Sequence, residues 1–75
     1  MPLVAITADQ HSPDEPYQYF VEGEPTGYLA EPITAATDSD CVVTSLELWL
    51  TSRYGCSVMR VDHEGDTIFA SLLGE

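Results

Sequence analysis

Four side chains carry the nucleophile and base chemistry that this sequence offers: Cys41, Cys56, His11 and His63. A cysteine-histidine catalyst needs a thiol within reach of an imidazole, and Cys41 falls in the first turn of an expected helix, a position that lowers a thiol pKa. The rest of the chain argues against catalysis. It has no Gly-rich phosphate loop and no lysine, it is too short to build a substrate pocket beside a core, and buried cysteines are common as small core residues. The expectation is a protein that is not an enzyme.

Acids supply the other chemistry. Carboxylates and imidazoles brought together from several loops can hold a divalent cation, which would relieve their mutual repulsion. Yet no loop follows the EF-hand pattern, and neither His-x-x-x-His nor Cys-x-x-Cys occurs. No cofactor and no metal site are therefore expected, with a small divalent-metal-binding domain as the alternative. Thirteen Asp and Glu stand against two Arg, for a net charge of −11. Such a surface is repelled by nucleic acid and by anionic lipid, and is drawn to basic protein surfaces at rates that fall with salt.

Seventy-five residues suit one domain, 1–75, able to bury about 60% of its unfolded surface. Apolar residues make up 44% of the chain and interleave with polar ones, so it is expected to fold despite its charge. No apolar stretch approaches the roughly 18 residues of a membrane span. Met1-Pro2-Leu3-Val4 lacks the basic start and apolar run of a signal peptide. No membrane partner and a cytoplasmic location are expected. Cys41 and Cys56 flank the expected helix about 20 Å apart, beyond disulfide reach, and should be free thiols in a reducing compartment.

The elements that position these groups follow from pattern. Residues 3–8 are β-branched and apolar and read as a strand, 9–16 with two prolines as a loop, and Tyr17 to Glu22 as a second strand. Gly23, Pro25 and Gly27 are turn chemistry, and Tyr28 to Ile33 makes a third strand, which Pro32 either places at an edge or ends. One helix runs from Ser39 to Tyr54. Val42, Val43, Leu46, Trp49, Leu50 and Tyr54 fill an arc of roughly 140° on its wheel. Asp38, Ser39 and Asp40 serve its start, and Arg53 and Gly55 its end. Cys56 to Asp62 and Thr67 to Leu73 then flank a tight turn at Glu64-Gly65. The fold class is α+β: an antiparallel sheet of about five strands with one helix packed on a face, in the order βββαββ.

If each element reverses the one before it, the 9–16 loop, the helix start and the Glu64-Gly65 turn meet at one end. They bring Asp9, Asp14, Glu15, Asp38, Asp40, Asp62, Glu64 and Asp66 with them, eight of the thirteen acids. His11 and His63 lie there too, and Arg53 at the other end. These eight are the candidate partner-binding residues, each able to accept a charge-assisted hydrogen bond from Arg or Lys. Spread evenly over roughly 4,500 Å², the charge averages about one per 400 Å², against about one per 100 Å² for duplex DNA. Imitation of DNA therefore depends on the clustering. Two further surfaces are candidates for contact: Leu48 with Cys41 on the far side of the helix, and Tyr17, Tyr19 and Tyr28 on one sheet face.

This layout of three strands, a helix and two strands, with its acidic charge, resembles the small phage-encoded anti-CRISPR proteins. The resemblance covers most of the chain and rests on the arrangement alone, so no residue role is carried over from that family. It implies an inhibitor that covers a nucleic-acid-binding surface, with a CRISPR effector subunit as partner, in the host cell cytoplasm. A stabilising subunit of a larger assembly is a further alternative.

Overall fold

The computed structural model describes residues 3–29 and 31–73. Five strands and two helices follow one another: β1 (Leu3–Asp9), β2 (Tyr17–Val21), β3 (Glu24–Leu29), α1 (Ser39–Ser45), α2 (Glu47–Tyr54), β4 (Ser57–Glu64) and β5 (Thr67–Leu73). The strands form one antiparallel sheet in the order β3-β2-β1-β5-β4. The class is α+β, and the element order is βββααββ.

Period-two patterning builds the core. Val4 and Ile6 on β1, Tyr19 and Val21 on β2, and Ile68, Ala70 and Leu72 on β5 all turn to one face, where alternation puts every second side chain. Ile6 pairs with Val21 on one side and Ile68 on the other. Val42, Val43, Leu46 and Leu50 from the helices and Ile33 from the segment before them close this layer. Among the described residues no polar or charged side chain is buried.

The turn after β2 is tighter than the sequence suggests. It consists of Glu22 and Gly23 alone, with φ of 52° and 83°, the pattern of a two-residue hairpin with both φ positive. Glu22 tolerates this conformation because its amide donates to the Ala5 carbonyl at 2.9 Å while its carboxylate accepts the Ala5 amide at 3.0 Å. The third strand therefore begins at Glu24, ahead of the expected Tyr28, and ends at Leu29. Pro25 fits because β3 is an edge strand. Thr26 is an extra residue between Pro25, opposite Phe20, and Gly27, opposite Tyr19; its hydroxyl donates to the Tyr19 carbonyl at 3.2 Å. Ile33 leaves the sheet for the core. Ala30 of the expected third strand, and Met1 and Pro2 of the leader reading, lie outside the described residues.

The single helix expected from Ser39 to Tyr54 is two helices within those bounds, broken at Leu46 (φ −100°, ψ 1°). Ser45 is the cause: its hydroxyl takes the Val42 carbonyl at 2.7 Å. Leu46 must then share its amide between that carbonyl at 3.2 Å and Val43 at 3.1 Å. Such back-bonding competes with the helix ladder and bends it. The helix ends as expected at Gly55, whose φ of 68° closes α2. The last hairpin is also longer than expected. β4 reaches Glu64 after a bulge at Met59, and the turn is Gly65-Asp66.

Helices cover one face of the sheet and leave the other open. Register places Asp9, Gln18, Phe20 and Tyr28 on the open side, with Phe69 and Asp62 beyond β1. Tyr17 and Tyr19 face the helices, whereas Tyr28, opposite Gln18, is on the open face and 69% exposed. The three tyrosines therefore do not share a face.

Candidate functional site

Strand direction sorts the acids by end. β1 finishes, β2 begins, α1 starts and the β4–β5 turn lies at what is here the upper end. Asp9, Asp14, Glu15, Asp38, Asp40, Glu64 and Asp66 gather there, with Asp62 two residues down β4. Glu31 joins them, because β3 stops before it; the longer strand drawn from sequence hid it. Arg53, in the last turn of α2, is at the opposite end.

These acids share an end but not a patch. The sheet order sets the β1–β2 loop over the middle strands and the β4–β5 turn over the far edge, two strand spacings or about 10 Å away. Asp38 and Asp40 rise from the helix layer. Three acidic groups thus lie roughly a Debye length apart at moderate salt, in place of the single constellation expected.

Several of the eight are locally employed. Asp9 accepts the Gln10 amide at 2.8 Å, and Asp66 accepts the Thr67 hydroxyl at 3.3 Å. Asp62 pairs with Arg60 at 3.3 Å on the open face. Asp38 is the N-cap of α1, with one oxygen accepting the amides of Asp40 and Cys41 at 3.1 and 3.3 Å. Among the described residues the carboxylates of Asp14, Glu15, Asp40 and Glu64 are left to solvent. The loop that displays Asp14 and Glu15 is held by Gln10, whose amide nitrogen donates to the Glu15 carbonyl at 2.7 Å.

Both cysteines are free, Cys41 exposed and Cys56 half-buried. The thiol pKa of Cys41 is raised, contrary to the expectation from its helix position. Its Sγ donates to Asp38 Oδ2 at 3.3 Å, and that bond, the charge of Asp38, partial desolvation and the charge of Asp40 all favour the neutral thiol. Asp38 is correspondingly lowered, first by the thiol bond and then by the amides it caps. The groove beside Cys41 is lined by Tyr19, Glu31, Pro32, Ala36, Thr37, Asp38 and Val42, with no imidazole among them. His63 faces the helix side with Nε2 against the Gly65 carbonyl at 3.0 Å. His11 sits at the rim of the open face.

Among the described residues no three His, Cys, Asp or Glu side chains converge to hold a metal ion. No helix among them is long and apolar enough to cross a membrane. Leu48 is 87% exposed, and Cys41 is exposed as well. Comparison of the chain with protein-family models, with curated proteins and with solved structures found no match.

Proposed function

We propose that this chain is a non-enzymatic inhibitor that docks its acidic end on a basic, nucleic-acid-binding surface of a host protein complex, as the resemblance to anti-CRISPR proteins implies. A CRISPR effector subunit, met in the host cytoplasm, is the kind of partner this describes. The observation that carries the reading is where the arginines go. Arg53 binds Glu24 and Arg60 binds Asp62, so each of the two basic side chains is committed to one acid. Among the described residues, ten of the twelve acids are left without one.

Magnitude limits the form of this docking. Over 4769 Å² of surface, eleven net charges average about one per 430 Å², roughly fourfold sparser than duplex DNA. The upper-end groups must therefore each meet their own Arg or Lys, as separate charge-assisted contacts. The test is affinity capture of the partner, followed by binding measurements at rising ionic strength. Binding should weaken steeply with salt and be abolished by reversing Asp14, Glu15, Glu64 and Asp66 to Lys in a variant that still folds. Affinity that ignores salt, or survives the reversal, overturns the reading.

A further inference from the structure

The open sheet face is not flat at its upper end. Asp9 closes β1 and pairs with Gln18, while Phe20 pairs with Thr7 one step lower, so Asp9, Gln18 and Phe20 project from the same side. Gln10 and His11, the first loop residues, rise beside them. Together the five line an open hollow of about 260 Å³. Small-molecule sites run to roughly 300–1,000 Å³; this hollow falls just short of that range, with room for one long side chain.

Its chemistry is selective. Asp9 gives the hollow one full negative charge, and because its Oδ1 is occupied by the Gln10 amide, the second oxygen remains as acceptor. The Gln10 side-chain nitrogen is tied to the Glu15 and Pro13 carbonyls, which leaves its amide oxygen as another acceptor. Phe20 is half-buried and contributes a ring, with the His11 imidazole at the rim. One carboxylate is too few oxygens for calcium, which takes six to eight, and an anion would be repelled. A guanidinium fits each group: it is planar, weakly hydrated, stacks on aromatic rings and donates to several oxygens at once.

We propose that this hollow seats an arginine side chain of the partner protein, bound between the Asp9 carboxylate and the Phe20 ring. The inference rests on the docking reading above and names where one cation of the partner's surface goes. An ammonium would satisfy the charge but not the ring or the second acceptor.

Nuclear magnetic resonance titration of the whole chain with the amides of N-acetyl-arginine, N-acetyl-lysine and N-acetyl-citrulline tests it. The arginine compound should shift the His11, Gln18 and Phe20 signals saturably, the lysine compound several-fold more weakly, and the uncharged citrulline compound not at all. Asp9→Asn keeps an oxygen for the Gln10 amide, so the loop holds, and should weaken arginine binding about tenfold. Phe20→Leu keeps an apolar side chain in place and should erase the preference for arginine over lysine. If arginine and lysine act equally, or shift only Asp14, Glu15, Asp40 and Glu64 irrespective of Asp9→Asn, the hollow is not the seat and the acidic-end reading stands. If no cationic probe shifts any signal at low salt, both fall.

Discussion

Arg53 holds Glu24 through two parallel bonds, Nε to Oε2 at 3.1 Å and Nη2 to Oε1 at 2.9 Å. The pair ties the end of α2 to the start of the edge strand β3. The guanidinium also lies 5.3 Å from the centre of the Tyr54 ring, which in turn meets Trp49 edge-on at 6.2 Å. One arginine thus joins the helix, the edge strand and the aromatic border of the core.

Arg53→Lys should consequently behave as a real loss, since an ammonium cannot make the paired bonds or stack on Tyr54. The pair is about half-exposed, so the effect is modest, a Tm lower by a few degrees. Arg53 holds the Glu24 carboxyl below its ordinary range, first through the hydrogen bond. A lowered carboxylate stabilises the fold above its unfolded pKa, and that contribution disappears as pH falls through the folded value. Glu24→Gln should flatten this part of the acid unfolding curve; an unchanged curve refutes the assignment.

Cys41 should alkylate slowly with iodoacetamide near neutral pH although it is exposed, because its raised pKa leaves little thiolate. Asp38→Asn keeps an oxygen for the cap but removes the charge, and should speed the reaction several-fold. The pH–rate profile should move to lower pH with it. A rate unaffected by that substitution would separate the thiol from Asp38.

Leu50 and Leu48 lie two residues apart on α2 and should respond oppositely. Leu50 is fully buried and Leu48 is 87% exposed. Leu50→Ala should cost about 2–5 kcal/mol, a large part of the roughly 4–11 kcal/mol available to a domain of this size. Leu48→Ala should stay within about 0.5 kcal/mol. Urea midpoints of the two variants measure the contrast.

Added salt should raise the Tm. Among the described residues ten acids lack an arginine partner, and screening relieves their repulsion in the folded chain more than it weakens two exposed ion pairs. A Tm that falls with salt would mean that the ion pairs outweigh the repulsion.

Much of this fold can be read from the residues. The alternation around Val4 and Ile6, and around Ile68, Ala70 and Leu72, marks strands, while Asp38 and Gly55 mark where the helical segment starts and stops. Glu22 is not legible as a turn residue, since its tolerance of a positive φ depends on Ala5, which lies far away in sequence. Nor is the break at Leu46, which follows from one hydroxyl bond of Ser45. For the acids, alternating direction tells which end each occupies. Their lateral spacing depends on β1 lying mid-sheet, a tertiary outcome that no local pattern encodes. The Cys41 shift is not legible from its helix position, because the bond to and charge of Asp38 outweigh the helix terminus.

β1 is bonded on one side to β2, its neighbour in sequence, and on the other to β5, at the far end of the chain. During synthesis the hairpins can form as they emerge, but the central strand keeps a naked edge, with Val4 and Ile6 uncovered, until Thr67–Leu73 has left the ribosome. Pairing across that sequence distance puts folding toward the slow end for a domain this small. In that interval the net negative charge makes unfinished chains repel one another while that edge is exposed.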